Sequence, residues 1–371
     1  MNSQHIPLVD LTWQTEEIWD DLHKEISDLC HEGMFIGGSK VKEFESRFAS
    51  FMQAEHCVGV GNGGDAIELI LRALDISNGD EVLIPANTFV ATAAAVSRVG
   101  AIPIPVDVNE NDFLIDASEI ESRISKLTKA IIPVHLFGQI ADMSTISGIA
   151  NHFNIPVIED AAQAHGALQN KKHCGSFGLA AATSFYPGKN LGAFGDGGAV
   201  ITNTLDIASR VKKLRNYGGV EKYEHEIVGF NSRLDSLQAL VLSHKLKRLK
   251  SWNELRNIAA DTYIEALSSM PNVTLPSINP GNSHVWHLFV VRVPNRDRVF
   301  SSMSEDGIGV GIHYPTPFSK LPAYSYLSSQ ISNCPVAEKL SKDILSLPIY
   351  PGITQSQIEQ VCFALNKALC L

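Results

Sequence analysis

The segment Ser184-Phe-Tyr-Pro-Gly-Lys-Asn-Leu-Gly-Ala-Phe-Gly-Asp-Gly-Gly198 sets one lysine in a crowded glycine loop just past an apolar run. A lysine withdrawn from water holds its proton less tightly, and its free amine attacks carbonyls to form a Schiff base. Lys189 is therefore a candidate nucleophile, although a solvated loop lysine would read the same taken alone. A second segment, Val157-Ile-Glu-Asp-Ala-Ala-Gln-Ala-His-Gly166, ends an apolar run near Asp160. Open α/β sheets place ligand-binding groups at the carboxyl ends of their strands. A carboxylate there can pair with a protonated pyridine nitrogen and make the ring an electron sink. It could equally cap the turn that follows.

The third segment, Val58-Gly-Val-Gly-Asn-Gly-Gly-Asp65, satisfies G-x-G-x-x-G through Gly59, Gly61 and Gly64. A dinucleotide site would also need an acid ending the next strand, about 20 residues on. That strand, residues 81–84, runs instead into Pro85-Ala-Asn87, and Gly59 and Val60 read as strand residues. What remains is a glycine-rich helix start whose N–H groups and dipole suit one phosphate group, or a tight turn that binds nothing. Taken together the three segments are more specific. A Schiff-base lysine lies 29 residues after a strand-end aspartate, downstream of a phosphate loop. Those are the covalent anchor, ring-nitrogen partner and phosphate cradle that pyridoxal phosphate requires.

These residues need a scaffold, and the patterning supplies one. Ile18, Leu22, Ile26 and Cys30 form a helical stripe, residues 35–38 break it, and Ser39 is a candidate N-cap for a helix carrying Val41, Phe44, Phe48 and Phe51. Strand-like runs follow at 57–60, 81–84, 102–106, 130–134, 156–158, 182–185 and 199–202, with helical stretches at 65–74, 88–99, 117–124 and 143–153 between them. Buried runs separated by helices indicate a mostly parallel sheet with crossover helices. Helices are expected at 205–216 and, in one long piece, from Asp235 to about Met270, with Ala239, Leu242, Leu246 and Leu249 on one face. From about residue 272 a smaller α+β unit follows, with a strand at 287–293 and helices at 296–305, 336–345 and 355–371.

Composition bounds the partners. The 371 residues carry 30 Lys+Arg against 40 Asp+Glu, a net charge of −10, and 44% are hydrophobic. That is a globular composition, with an acidic balance that argues against a nucleic-acid or membrane-surface binder. Six cysteines without a C-x-x-C pair suggest reduced thiols, and the first ten residues lack the pattern of a signal peptide, so a cytoplasmic protein is expected. His56-Cys57 and His173-Cys174 are adjacent pairs that do not converge as zinc ligands do, so no metal site is expected. Lys171-Lys172 fits an exposed hairpin turn, and His165 reads as a satisfied polar group.

Gly61-Asn-Gly-Gly-Asp-Ala66, Pro85-Ala-Asn-Thr-Phe-Val-Ala-Thr92, Pro133-Val-His-Leu-Phe-Gly138, Ile158-Glu-Asp-Ala-Ala-Gln163, Ser184-Phe-Tyr-Pro-Gly-Lys189, Gly229-Phe-Asn-Ser-Arg-Leu-Asp235 and Gly311-Ile-His-Tyr-Pro315 occur in this order. Across essentially the whole chain they resemble the DegT/DnrJ/EryC1/StrS sugar aminotransferases. The resemblance implies an α/β protein of pyridoxal-phosphate transferase fold type I, like aspartate aminotransferase. It implies a large, mostly parallel seven-stranded sheet domain over 1–250 and a small C-terminal α+β domain over 251–371, with the first thirty or so residues packing with the small one.

The same resemblance implies the roles. Lys189 would anchor the cofactor and then move protons as the catalytic acid/base. Asp160 would meet the pyridine nitrogen, Gln163 the ring hydroxyl, and Phe89 the ring face. Gly63, Gly64, Asp65 and Ser184 would hold the phosphate, and Asn231 would reach it across a homodimer interface. The family usually has Thr where this chain has Gly64, so backbone N–H groups must replace one hydroxyl. Family members that dehydrate sugars carry His at the lysine position, so Lys189 favours transamination.

The stretches 216–219, 222–223 and 231–235 look like enzymes aminating C3 of a dTDP-3-keto-6-deoxyhexose, with L-glutamate as donor, for a surface glycan. Tyr186, Tyr217, Lys222, His313 and Tyr314 are then candidate substrate contacts. A C4 aminotransferase or a UDP-linked 3-keto sugar enzyme is the alternative. An NAD-dependent oxidoreductase, or a regulatory protein that keeps the fold and loses the chemistry, is a more distant one.

Overall fold

In the computed structural model, which describes residues 5–221, 223–327 and 333–370, the apolar runs become strands. In chain order these are β1 (His56–Val60), β2 (Glu81–Pro85), β3 (Ile102–Val106), β4 (Thr128–Ile131), β5 (Ile158–Asp160), β6 (Ala180–Ser184) and β7 (Gly198–Thr202). β1-β7-β6-β5 and β4-β2-β3 are hydrogen-bonded runs. Parallel bridges Ile131–Val157 and Val134–Asp160 join them into one seven-stranded sheet. Only β7 opposes its neighbours. Side chains alternate between two cores because strand residues alternate faces. Leu83 and Ile201 lie in one core with Phe44, Phe48 and Phe185. Val82, Ile84 and Val200 lie in the other with Ile67, Ile70 and Val211.

The helices of this half are α1 (Thr12–Glu32), α2 (Gly38–Phe51), α3 (Gly63–Ala73), α4 (Val90–Arg98), α5 (Ala117–Arg123), α6 (Met143–Phe153) and α7 (Leu205–Leu214). The buried stripe of α1 runs through Ile18 and Leu22 to Leu29, not Cys30, which is exposed. Each four-residue step advances 40° beyond a full turn, so the stripe drifts off the expected line. Ser39 is not the cap of α2. The helix starts at Gly38, and Gly37, two residues before Ser39 and at φ +69°, occupies the cap position.

The long helix expected from Asp235 is two helices, α8 (Ser236–Leu246) and α9 (Leu249–Leu267). Two partners explain the break. α8 packs on α1 and α2, whereas α9 packs on the last helix of the chain. Just past the break, Trp252 is buried and donates Nε1–H to Glu17 at 2.6 Å.

Beyond lie β8 (Phe289–Arg292), α10 (Arg296–Glu305), α11 (Pro335–Asp343), β9 (Ile344–Leu347) and α12 (Gln355–Cys370). The helix expected at 336–345 stops at Asp343, because Ile344–Leu347 pairs antiparallel with β8. A separate core holds Tyr263, Phe289, Met303, Leu347 and Leu365, together with Ile6, which bridges to Ile308. The C-terminal part also reaches back to the sheet. Phe318, Tyr324 and Leu327 lie in the second sheet core. Asp107 accepts the Val336 and Ala337 N–H groups at the start of α11, both at 2.9 Å. The turn at Asn170-Lys171 joins two short antiparallel strands, as the sequence suggests.

Glu159 anchors the strand that carries Asp160. It is fully buried and accepts from His135 Nε2 at 2.8 Å and from the N–H groups of Gly175, Phe177 and Gly178 at 2.7, 2.8 and 2.6 Å. Burial alone would raise its proton affinity, but His135 and these N–H groups outweigh it and hold the carboxyl below its ordinary value. Glu159→Ala strands four donors, two of them fully buried, so a loss of about 3 kcal/mol or more is expected, read as a lowered denaturation midpoint. A depressed carboxyl contributes stability that is present above its unfolded value and lost as pH falls through the folded one. The gap between wild type and variant should therefore close in acid.

Candidate active site

The carboxyl ends of β1, β2, β5 and β6 lie along one edge of the sheet, and the candidate residues lie on the loops leaving that edge. Beyond β6 the chain turns so that Lys189 N–H donates to Tyr186 O at 2.8 Å. The loop then doubles back. A Cβ at Gly192 would come within 2.2 Å of Pro187 O, so only glycine fits there. Ala193 N–H returns to Phe185 O at 2.8 Å, and Phe185 is locked edge-on against Phe44 and Phe48.

Lys189 is half-buried. Burial lowers its proton affinity, Asp160 opposes the shift, and the ammonium settles at about 8. Three imidazoles feel its charge. His165 is pushed to about 3, His313 to about 4 and His287 well below its ordinary value, in each case by burial first and Lys189 next. The lysine thus sits among neutral rings. His165 pairs with Thr183 at 2.8 Å and His313 with Ser346 at 2.8 Å. His287 meets Asn190 at 3.2 Å.

Asp160 ends β5, with its side chain buried. Oδ2 accepts the Thr92 hydroxyl at 2.8 Å and Oδ1 the Ala162 N–H at 3.1 Å. A carboxylate has about four lone-pair sites, so the oxygens can still take a further N–H. Gln163 accepts Phe137 N–H at 2.6 Å and donates to Tyr314 Oη at 3.1 Å, leaving one amide N–H for a ligand. Phe137 adopts φ +60°, which a bulky side chain rarely does. Phe89 precedes α4, is 53% exposed, and lies 5.6 Å from the Tyr314 ring. An aromatic face left this open at a cleft edge suits a stacked ring.

The glycine-rich loop enters α3 at Gly63, and the first N–H groups of that helix have no intrahelical acceptor. Ser184 faces it. A Cβ on Gly63 would lie 2.7 Å from Ser184 Cβ, so glycine here lets hydroxyl and helix start converge. Gly63→Ala is expected to cost roughly 1–3 kcal/mol of apoprotein stability in a thermal melt and to weaken pyridoxal phosphate binding in the same preparation. The Asp65 side chain points elsewhere. It takes Arg98 at 3.0 Å and the Ser232 hydroxyl at 2.8 Å, while its N–H goes to Asn62 at 2.8 Å. An anion beside a phosphate would repel it, and these partners hold the carboxylate as a brace for the loop.

The remaining candidates divide. His313 and Tyr314 come to the Lys189 and Gln163 side chains through the charge and hydrogen bond above. Tyr186 is 60% exposed on the lysine turn. Tyr217 and Asn231 lie instead on the paired segments around residues 216 and 231. Arg233 lies 6.0 Å over the Tyr217 ring. Arg233 also lines a groove of about 570 Å³ with Lys42, Lys212 and Arg215. Lys222 lies outside the described residues. Sequence reasoning missed Thr92, His287 and Asn87, whose buried Nδ2 lacks a partner among the described residues. Thr92 and Asn87 lie within the 85–92 motif, so their spacing from Phe89 was the available signal. The literal dinucleotide motif fails structurally: Gly59 is a strand residue of β1 paired with Ala199.

A cofactor with an aldehyde, a ring nitrogen and a phosphate matches these donors and acceptors group by group. The fold and its cofactor edge are those of a pyridoxal-phosphate-dependent transferase of fold type I. More narrowly, the chain belongs to the DegT/DnrJ/EryC1/StrS aminotransferase family, whose family model matches residues 16–366. It is 45% identical to the dTDP-3-amino-3,6-dideoxy-alpha-D-galactopyranose transaminase of Aneurinibacillus thermoaerophilus, over 98% of this chain and 99% of that one. It is 39% identical to a UDP-N-acetyl-3-dehydro-alpha-D-glucosamine 3-aminotransferase of Acidithiobacillus ferrooxidans, over 98% of each. The structure of S. venezuelae DesV in complex with a ketimine intermediate superposes with a TM-score of 0.94 at 40% identity, covering 98% of both chains. The protein is thus a sugar aminotransferase that uses pyridoxal phosphate.

Proposed function

We propose that the enzyme transfers the amino group of L-glutamate to C3 of a dTDP-linked 3-keto-6-deoxyhexose, giving the 3-amino sugar and 2-oxoglutarate. The observation that carries transamination is Lys189, an amine brought to about 8 by burial on the same edge as Asp160. The choice of C3 and dTDP is supported by the relative from Aneurinibacillus. A UDP-linked 3-keto sugar is the second reading, favoured by the relative from Acidithiobacillus.

Pyridoxal phosphate supplies, when bound, the carbonyl carbon that receives the amino nitrogen and a protonated ring that takes up electrons. This chain does the rest. Lys189 Nζ holds the cofactor and, with proton affinity near neutrality, accepts a proton and returns it. Asp160 keeps a negative charge against the ring nitrogen, and Gln163 offers N–H to the ring hydroxyl. Ser184 and the Gly63 and Gly64 N–H groups hold the phosphate, and Phe89 covers one ring face. The neutral imidazoles around Lys189 hydrogen-bond without adding positive charge.

A homodimer with shared sites completes the reading. Ser232 turns inward, accepting Gly61 N–H at 3.0 Å, while its neighbour Asn231 is exposed and free to reach a second chain. Met34, Phe35, Ile36, Val220 and Val228 are exposed apolar side chains that such a partner would cover. The large domain would run to about residue 250 and the small one over 251–371. A cytoplasmic location agrees with sparse cysteines that form no C-x-x-C pair, and no described helix is long and apolar enough to cross a membrane.

The test is a panel of dTDP- and UDP-linked 3-keto and 4-keto sugars with glutamate, read by mass. Amination of dTDP-3-keto substrates first is the expected result. Preference for a 4-keto or UDP-linked substrate would overturn the assignment.

A further inference from the structure

We propose that Thr92 is the residue that orients Asp160, and that Thr88 completes a one-directional hydroxyl chain to it. Thr92 lies in the first turn of α4, where its N–H donates to Phe89 O at 3.2 Å. Its hydroxyl is 2.8 Å from Asp160 Oδ2, and the two side chains are 1% and 6% exposed. A carboxylate can only accept, so the proton in this bond belongs to Thr92. Thr88 Oγ1 lies 3.0 Å from Thr92 Oγ1 in the same buried pocket. Because Thr92 has spent its one proton on Asp160, Thr88 must be the donor. The direction is then fixed from Thr88 through Thr92 to Asp160, and each bond polarises the next.

The arrangement has a geometric consequence. Thr92 fixes one oxygen and Ala162 N–H, at 3.1 Å, fixes the other, so the carboxylate plane is set from two sides. Thr88 and Thr92 flank Phe89 in sequence, on a segment that leaves β2, whereas Asp160 ends β5. The chain therefore ties the residue offered to the ring face to the residue offered to the ring nitrogen, although β4 lies between β2 and β5 in the sheet. Packing alone does not require it, since valine has the shape of threonine without the hydroxyl. The inference rests on the reading that Asp160 faces the ring nitrogen of pyridoxal phosphate.

The experiment measures pyridoxal phosphate binding to apoprotein by equilibrium dialysis, with the absorption maximum of the bound cofactor and the apoprotein melting temperature. Wild type, Thr92→Val, Thr92→Ser, Thr88→Val and Asp160→Asn are compared. Thr92→Val is expected to bind roughly tenfold or more weakly, as for loss of a hydrogen bond to a charged group, and to shift the maximum. Thr92→Ser should stay within about threefold of wild type, and Thr88→Val should fall between. Wild-type affinity and an unmoved maximum in Thr92→Val would overturn the proposal. So would Thr92→Ser binding as weakly as Thr92→Val, because the hydroxyl would then not be the operative group. If Thr92→Val does not fold, Thr92→Ala repeats the comparison with the same two outcomes. Asp160→Asn binding like wild type would refute the Asp160 assignment itself, a different failure.

Discussion

Lys189→Ala protein is expected to take up pyridoxal phosphate without covalent attachment and to transaminate at least about 10³-fold more slowly, within the range for losing a positioned acid/base. The phosphate cradle and Asp160 do not depend on the lysine, so the cofactor should still bind. Borohydride followed by peptide mass analysis should label Lys189 in wild type and nothing in the variant. A labelled second lysine with retained turnover would sink the assignment. The pH dependence follows from the ammonium at about 8, where burial lowers proton affinity and Asp160 partly restores it. Only the free amine attacks the aldehyde, so wild-type apoprotein should load faster as pH rises through that value and level off above it. A second signal comes from His313. Burial is the larger reason that its ring titrates at about 4, and the Lys189 charge is the smaller one. Removing the lysine should therefore raise the His313 value modestly, visible by NMR, while leaving it below that of a free imidazole.

Much of this site was legible because its chemistry demands residue types that are rare in such places. A lysine among glycines and an aspartate at the end of an apolar run are expensive unless used, and the apolar runs placed Asp160 at one strand end and Lys189 in the loop beyond another. The sheet was readable for a similar reason, since strands buried on both faces are nearly continuous apolar runs. What escaped depends on contacts between distant segments. Whether Asp65 touches a phosphate or braces its loop is decided by Arg98 and Ser232, 33 and 167 residues away. The break between α8 and α9 carries no proline or glycine and arises from two competing packing partners. Thr92 looks like an ordinary helix residue until β5 brings Asp160 against it. His287 gives no sequence sign that it will share the pocket of Lys189.

The Asp160→Asn variant should separate two roles that one carboxylate plays. Asparagine keeps the shape, and its Oδ1 can still accept from Thr92. Its Nδ2 would then face Ala162 N–H, donor against donor, or turn toward the ring nitrogen with no charge to hold a proton there. Loss of a buried charge partner of this kind costs roughly 3–5 kcal/mol, so kcat/KM is expected to fall about 10²- to 10⁴-fold. The effect on Lys189 runs the other way. Asp160 supports the ammonium against burial, so its neutralisation should move the lysine below about 8. Less of the amine is then protonated at neutral pH, and the variant should attach pyridoxal phosphate faster there than wild type while turning over far more slowly. Rapid-mixing absorbance and steady-state kinetics on one preparation read both quantities. Disruption of the pocket would slow both, whereas the charge argument requires them to move apart.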